Sequence, residues 1–135
     1  MTGGKDAASQ GGTVVVLNRD VMARIRIGDV LRQLGYEPRF VRDSASFATA
    51  LAADPDRIVL GVIDMNGPVD WDAVAALAAM ADRPPLLGFG PHVDVSGRRA
   101  AKAAGVDRIV ANGEFHRDAA ALIRRYARPA MTDDV

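Results

Sequence analysis

Apolar and polar positions alternate along this chain in two rhythms that take turns. Thr13-Val14-Val15-Val16-Leu17 is a continuous β-branched run, the pattern of a strand buried on both faces. Val21, Met22, Ile25, Gly28, Leu31 and Leu34 then recur at helical spacing, with Asn18 or Asp20 able to cap the helix and Gly35 to stop it. Arg39-Phe40-Val41 reads as a short strand near a sheet edge, because Pro38 precedes it. Ser44 is expected to cap a helix through Phe47, Ala48 and Leu51 that ends before Asp54-Pro55. Ile58-Val59-Leu60-Gly61-Val62-Ile63 is the strongest strand and runs directly into Asp64, after which Asn66-Gly67-Pro68 breaks the chain. Asp70 caps a third helix through Val74, Leu77 and Met80, stopped by Arg83-Pro84-Pro85. Leu86 to Phe89 forms a fourth strand that turns out through Gly90-Pro91. Ser96 opens a helix through Ala100, Ala101 and Ala104 that Gly105 closes, Asp107 to Val110 is a fifth strand, and Phe115, Ala119, Leu122, Ile123 and Tyr126 mark a last helix.

Five strand–helix units joined by short connections predict an α/β fold: a doubly wound parallel sheet with helices on both faces and right-handed crossovers. Functional residues in such a sheet lie just beyond the carboxyl ends of the strands. Residues 1–12, rich in glycine without apolar period, read as a disordered leader. Residues 13–128 read as the domain and residues 129–135 as a short tail after a proline stop.

Composition narrows the function classes. Basic and acidic residues number 17 each, so no net charge favours nucleic acid or anionic lipid, and neither is expected as a partner. The chain contains no cysteine, which fits a reducing compartment and removes disulfides and thiolate metal sites. No apolar run reaches the length of a membrane span, and no continuous apolar stretch follows the opening Met1-Thr2-Gly3-Gly4-Lys5. A soluble, cytoplasmic protein without a membrane attachment is the expectation.

The segment from Thr13 to about Arg128 resembles the receiver domain of two-component response regulators. The resemblance rests on element order, on Leu34-Gly35-Tyr36-Glu37 after the first helix, on Asp64 closing the third strand, and on Ala104-Gly105-Val106-Asp107 before the fifth. It implies a flavodoxin-like (βα)5 sheet of strand order 2-1-3-4-5, with a phosphorylation pocket at its carboxyl end. The family's phosphoacceptor aspartate corresponds to Asp64. Its two magnesium-binding acids correspond to Asn18 and Arg19, its serine or threonine after strand 4 to Gly90, and its lysine after strand 5 to Asn112. The pocket is therefore degenerate. A guanidinium beside one carboxylate and an amide suits magnesium poorly, and without that ion phosphoryl transfer loses its main charge stabiliser.

Several side chains carry both a chemical and a plain reading. Asp64 is either a surviving phosphoacceptor or a strand-end carboxylate held by packing, with Arg19 as its expected partner in place of a metal. Asp20 could swing in as an extra ligand. His92 could project over the pocket, but with only His116 besides, it is read as an ordinary loop histidine rather than an acid–base or metal residue. The loops at Asn66-Gly67-Pro68 and Gly88-Phe89-Gly90-Pro91 lack the spacing of a phosphate-cradling motif and are read as turns. Trp71 is expected to cover the core edge. Arg117, Arg124, Arg125 and Arg128 are read on the last helix, with Arg98, Arg99 and Lys102 on the one before, a pattern most often found on a solvated face. The resemblance makes the last two helices and fifth strand the expected interaction face, with Arg99, Lys102, Phe115 and Tyr126 as contact residues for a signalling protein or a second copy.

The leading expectation is a pseudo-receiver in signal transduction that acts by protein binding, with no catalysis, no cofactor and no metal. A divergent but working receiver, phosphorylated on Asp64 with Mg2+ in a phosphorelay, is the alternative. A flavodoxin-like small-molecule binder is a third, without a motif to support it.

Overall fold

The computed structural model describes residues 11–130. The first ten residues of the expected leader and the last five of the tail lie outside that range. The element order is β1 (Thr13–Leu17), α1 (Val21–Gln33), β2 (Glu37–Val41), α2 (Ser44–Ala53), β3 (Ile58–Asp64), α3 (Trp71–Ala78), β4 (Leu86–Gly90), α4 (Val95–Ala104), β5 (Arg108–Ala111) and α5 (Asn112–Tyr126). All five strands are parallel, in the order 2-1-3-4-5. The doubly wound α/β architecture is as expected from the alternation.

Strand periodicity divides the core between the two faces of the sheet. Val14 and Val16 face α1 and α5 and pack with Ile27, Leu31, Phe115 and Ile123; Val15 and Leu17 face the other way, onto α2, α3 and α4, with Phe47, Leu51, Leu77 and Ala101. β1, β3 and β4 are buried along their whole length, which explains their unbroken apolar runs. β2 is the edge strand and holds Pro38 inside it, two residues further back than the pattern placed its start.

The helix ends follow local chemistry. Asp20, Asp43, Asp70 and Asp94 each cap a helix by accepting a backbone N–H two or three residues on. Asp43, not Ser44, is thus the cap of α2. The Ser44 hydroxyl accepts instead from the distant Asp70 N–H at 2.9 Å, a long-range bond that local pattern does not reveal. Gly105 ends α4 in the left-handed region, φ 102°, where a side chain would be strained.

The sequence also hid two fastenings at the amino end of the sheet. Gly12, placed with the leader by its composition, is buried, and its carbonyl accepts from the Glu37 N–H. Arg128, read as part of a solvated basic face, instead donates five hydrogen bonds to the carbonyls of Pro55, Ile58, Asp82 and Arg83.

Candidate functional site

Three strand ends meet at the carboxyl edge of the sheet. Asn18 follows β1 and is buried, and Asp64 ends β3 with only 8 % of its surface exposed. The Asn18 side-chain Nδ2 donates to Asp64 Oδ2 at 2.7 Å. The other carboxylate oxygen, Oδ1, accepts from the Asn66 backbone N–H at 2.9 Å and from Asn66 Nδ2 at 2.7 Å. An aspartate bonded to the N–H two residues on is an Asx-turn, and it sets the sharp bend after β3. Asn66 then faces Asn112, the first residue of α5. The two amides exchange reciprocal hydrogen bonds at 2.9 and 2.8 Å. The result is a hydrogen-bonded chain, Asn18–Asp64–Asn66–Asn112, in which three neutral amides tie β1, β3 and α5 around one carboxylate. Sequence reasoning read Asn66 only as a loop residue, although the spacing Asp64-x-Asn66 carried the turn signal.

Arg19 does not pair with Asp64. It is exposed and its Nη1 reaches the Pro68 carbonyl at 3.4 Å, so the expected ion pair is corrected. The cause is the alternation of side chains leaving a strand: Asn18 turns inward and Arg19 outward. Asp20 is engaged at 3.0 Å as the cap of α1. Both still line the cleft of about 240 Å³ beside Asp64, with Leu17, Asn66, Gly67 and Pro68. Gly90 closes β4 where a Cβ would stand 2.9 Å from the Met65 Cβ, so even the first carbon of a serine or threonine side chain is crowded out.

These residues do not suit magnesium, which demands several hard oxygen ligands in near-octahedral array. Asn18 presents its NH2 to Asp64, both Asp64 oxygens are engaged, and among the described residues no group of three or more His, Asp or Glu is placed to hold a metal. The Asn18 Oδ1 is buried with no hydrogen-bond partner, a single neutral acceptor.

Of the expected interaction face, Phe115 is corrected. It is fully buried and stacks on Phe89, ring centroids 4.0 Å apart and planes 5° apart, so it is core and not an anchor. Tyr126 is half-buried against the same cluster, while Arg99 and Lys102 are exposed. His92 is exposed and lines a cleft with α4, away from Asp64. His116 meets Phe89 and Phe115 edge-on. Trp71, at the start of α3, covers the core edge as expected.

Solved structures of similar shape are consistent in kind. The signal receiver domain of an HD domain-containing protein from Pseudomonas fluorescens Pf-5 superposes with a TM-score of 0.73 at 14% identity, covering 87% of each chain. The fold is that of a receiver domain. Chemotaxis protein CheY4 of Vibrio cholerae superposes with a TM-score of 0.68 at 19% identity, over 85% of this chain and 98% of that one. The receiver domain of sensor histidine kinase PA1611 from Pseudomonas aeruginosa PAO1 gives 0.69 at 18% identity, over 86% and 97%, and that structure holds a magnesium ion in its active-site cleft. Neither a protein-family model nor a curated protein sequence matches the chain.

Proposed function

We propose that this chain is a signalling module of receiver fold that acts by binding another protein and does not take up a phosphoryl group efficiently. The observation that carries the reading is the state of Asp64: both carboxylate oxygens are engaged by neutral donors, one of them the amide of Asn18, which stands at the first of the two positions the resemblance gives to magnesium-binding acids. A nucleophilic carboxylate needs a neighbouring cation to offset the charge that builds up on an incoming phosphoryl group. Here Arg19 points outward, Asp20 caps a helix, and Asn112 contributes an amide in place of a cation. Binding, not catalysis, is then what remains for the fold to do.

Incubation with acetyl phosphate and magnesium, followed by intact-mass measurement, tests this. No phosphoryl adduct is expected. A stoichiometric adduct that disappears in Asp64→Asn would overturn the proposal and make the chain a working receiver.

A further inference from the structure

The hydrogen-bonded chain around Asp64 holds every asparagine of the sequence, and two of the three, Asn66 and Asn112, are followed by glycine. An asparagine before glycine can react with its own backbone, because no Cβ on the next residue bars its nitrogen from the side-chain carbon. The two Asn-Gly steps sit in unlike settings. Asn66-Gly67 is an exposed turn. The Gly67 N–H makes no hydrogen bond among the described residues. Apart from its chain neighbours, the one described heavy atom within 4 Å of where a Gly67 Cβ would stand is Arg19 Nη1, at 3.4 Å. The guanidinium that reaches the Pro68 carbonyl therefore lies against the Gly67 backbone. Asn112 opens α5, so its ψ is helical, which turns the Gly113 nitrogen away from the Asn112 side-chain carbon. Outside its own turn of helix, no described atom stands within 4 Å of the matching point on Gly113.

We propose that Asn66 is a site of spontaneous deamidation, assisted by Arg19, which ages the pocket. Hydroxide takes the Gly67 amide proton, and the nitrogen attacks Asn66 Cγ. As the bond from Gly67 N to Cγ forms, the Cγ–Nδ2 bond breaks and Nδ2 leaves as ammonia with a proton from water. Water then opens the cyclic imide. Breaking the bond from Gly67 N to Cγ leaves aspartate, and breaking the bond from Gly67 N to the Asn66 main-chain carbonyl carbon leaves isoaspartate. Either way the nitrogen regains its proton, and the sum is amide plus water to carboxylate plus ammonium. The Arg19 charge favours both the deprotonated nitrogen and the oxyanion that forms on Asn66 under attack. Asn66 Nδ2 donates to Asp64 Oδ1 at 2.7 Å and to Asn112 Oδ1 at 2.9 Å, and the product sets an oxygen against both acceptors. The link from β3 to α5 then opens. The reaction is irreversible and needs no ligand, so it limits how long the pocket keeps its arrangement and makes no switch. It stands whether or not Asp64 takes up a phosphoryl group.

The test is to incubate the full chain in mildly alkaline buffer, folded and in urea, and to follow it by intact mass and by peptide mapping that separates aspartate from isoaspartate. Each event adds about 1 Da. In the folded chain, conversion at Asn66 should outrun conversion at Asn112 about tenfold or more, and in urea the two should be alike because both lose the backbone geometry that sets them apart. Arg19→Gln keeps a polar side chain without the charge. It should slow Asn66 about threefold or more in the folded chain and change nothing in urea, with circular dichroism checking that the variant folds. Gly67→Ala should slow the site in both states. Asn66→Asp stands in for the product, and its hydrogen exchange should quicken at residues 65–68 and at the start of α5. A folded chain that converts at Asn112 as fast as at Asn66 overturns the proposal, as does one that leaves Asn66 intact while urea converts both. So does an Asn66 rate that ignores Arg19→Gln or Gly67→Ala, or unchanged exchange in Asn66→Asp.

Discussion

Replacing Asn18 by aspartate puts the amide network to a quantitative test. In the structure, the Asn18 Nδ2 lies 2.7 Å from Asp64 Oδ2. Asn18→Asp exchanges that donor for a second carboxylate oxygen at nearly the same point. Two effects add. A hydrogen bond to a charged acceptor is lost, worth about 1.5–3 kcal/mol. Two like charges then face each other: at 2.7 Å the repulsion is about 1.5 kcal/mol for a fully water-like dielectric and about 6 kcal/mol for an effective constant near 20. Side-chain rotation relieves part of it, so a net loss of about 3 kcal/mol at pH 7 is expected, roughly 10 °C in Tm. The sign with pH follows from linkage. Repulsion raises the folded-state pKa of one carboxyl above its unfolded value, so the variant is least impaired when that proton is bound and loses stability as pH rises through the raised pKa. Urea denaturation followed by circular dichroism from pH 4.5 to 8 measures this. Combining Asn18→Asp with Asp64→Asn reverses the donor and acceptor and should restore most of the loss. A variant as stable as the parent at pH 7, or a deficit that ignores both pH and the compensating change, would refute the pairing of Asn18 with Asp64.

Other expectations are briefer. Phe115→Ala removes a fully buried ring stacked on Phe89 and should cost about 3–5 kcal/mol in chemical denaturation, whereas a surface anchor would cost almost nothing. Arg128→Ala releases the carbonyls of Pro55, Ile58, Asp82 and Arg83 and should cost about 1–3 kcal/mol, with earlier hydrogen exchange at the start of β3. Burial raises the pKa of the Asp107 carboxyl, but hydrogen bonds from Arg83 and the Leu86 N–H, with the charge of Arg83, outweigh it and hold the group below its ordinary value of 3.8. Its contribution is therefore present above the unfolded pKa and fades as pH falls through the lower folded one. Asp107→Asn should be destabilised at neutral pH and converge on the parent in acid, read from Tm against pH.

How much of this was legible depends on the range of the interaction. β1, β3 and β4 are buried on both faces, so their apolar runs stated their own place, and Asp64 could be located simply as the residue that ends the strongest run. Choices settled by distant partners could not be read. Asp43 and Ser44 are both good caps, and only the Asp70 N–H, 26 residues away, draws Ser44 off. Phe115 at helical spacing could face in or out, and Phe89 on the sheet face beneath α5 decides it. The arginine after β1 was assigned to Asp64 on charge alone. Geometry gave the contact to Asn18, because successive side chains alternate: Asn18 turns in toward Asp64, so Arg19 after it turns out.

That reversal bears on what the module can do. A carboxylate crowded by other carboxylates is an unsatisfied charge, and a ligand that relieves it can shift the protein between states. A ligand shifts a conformational equilibrium only by as much as it binds one state better than the other. Asp64 with three neutral donors is already satisfied, and Asn66 extends the same bonding to Asn112 at the head of α5. On the proposed reading, a cation or phosphoryl group entering there competes with those bonds, which lowers the differential affinity that would drive a switch. On the proposed reading the pocket therefore fixes one arrangement of β3 and α5, and information reaches the partner through whether the chain is present and bound, not through its chemical state.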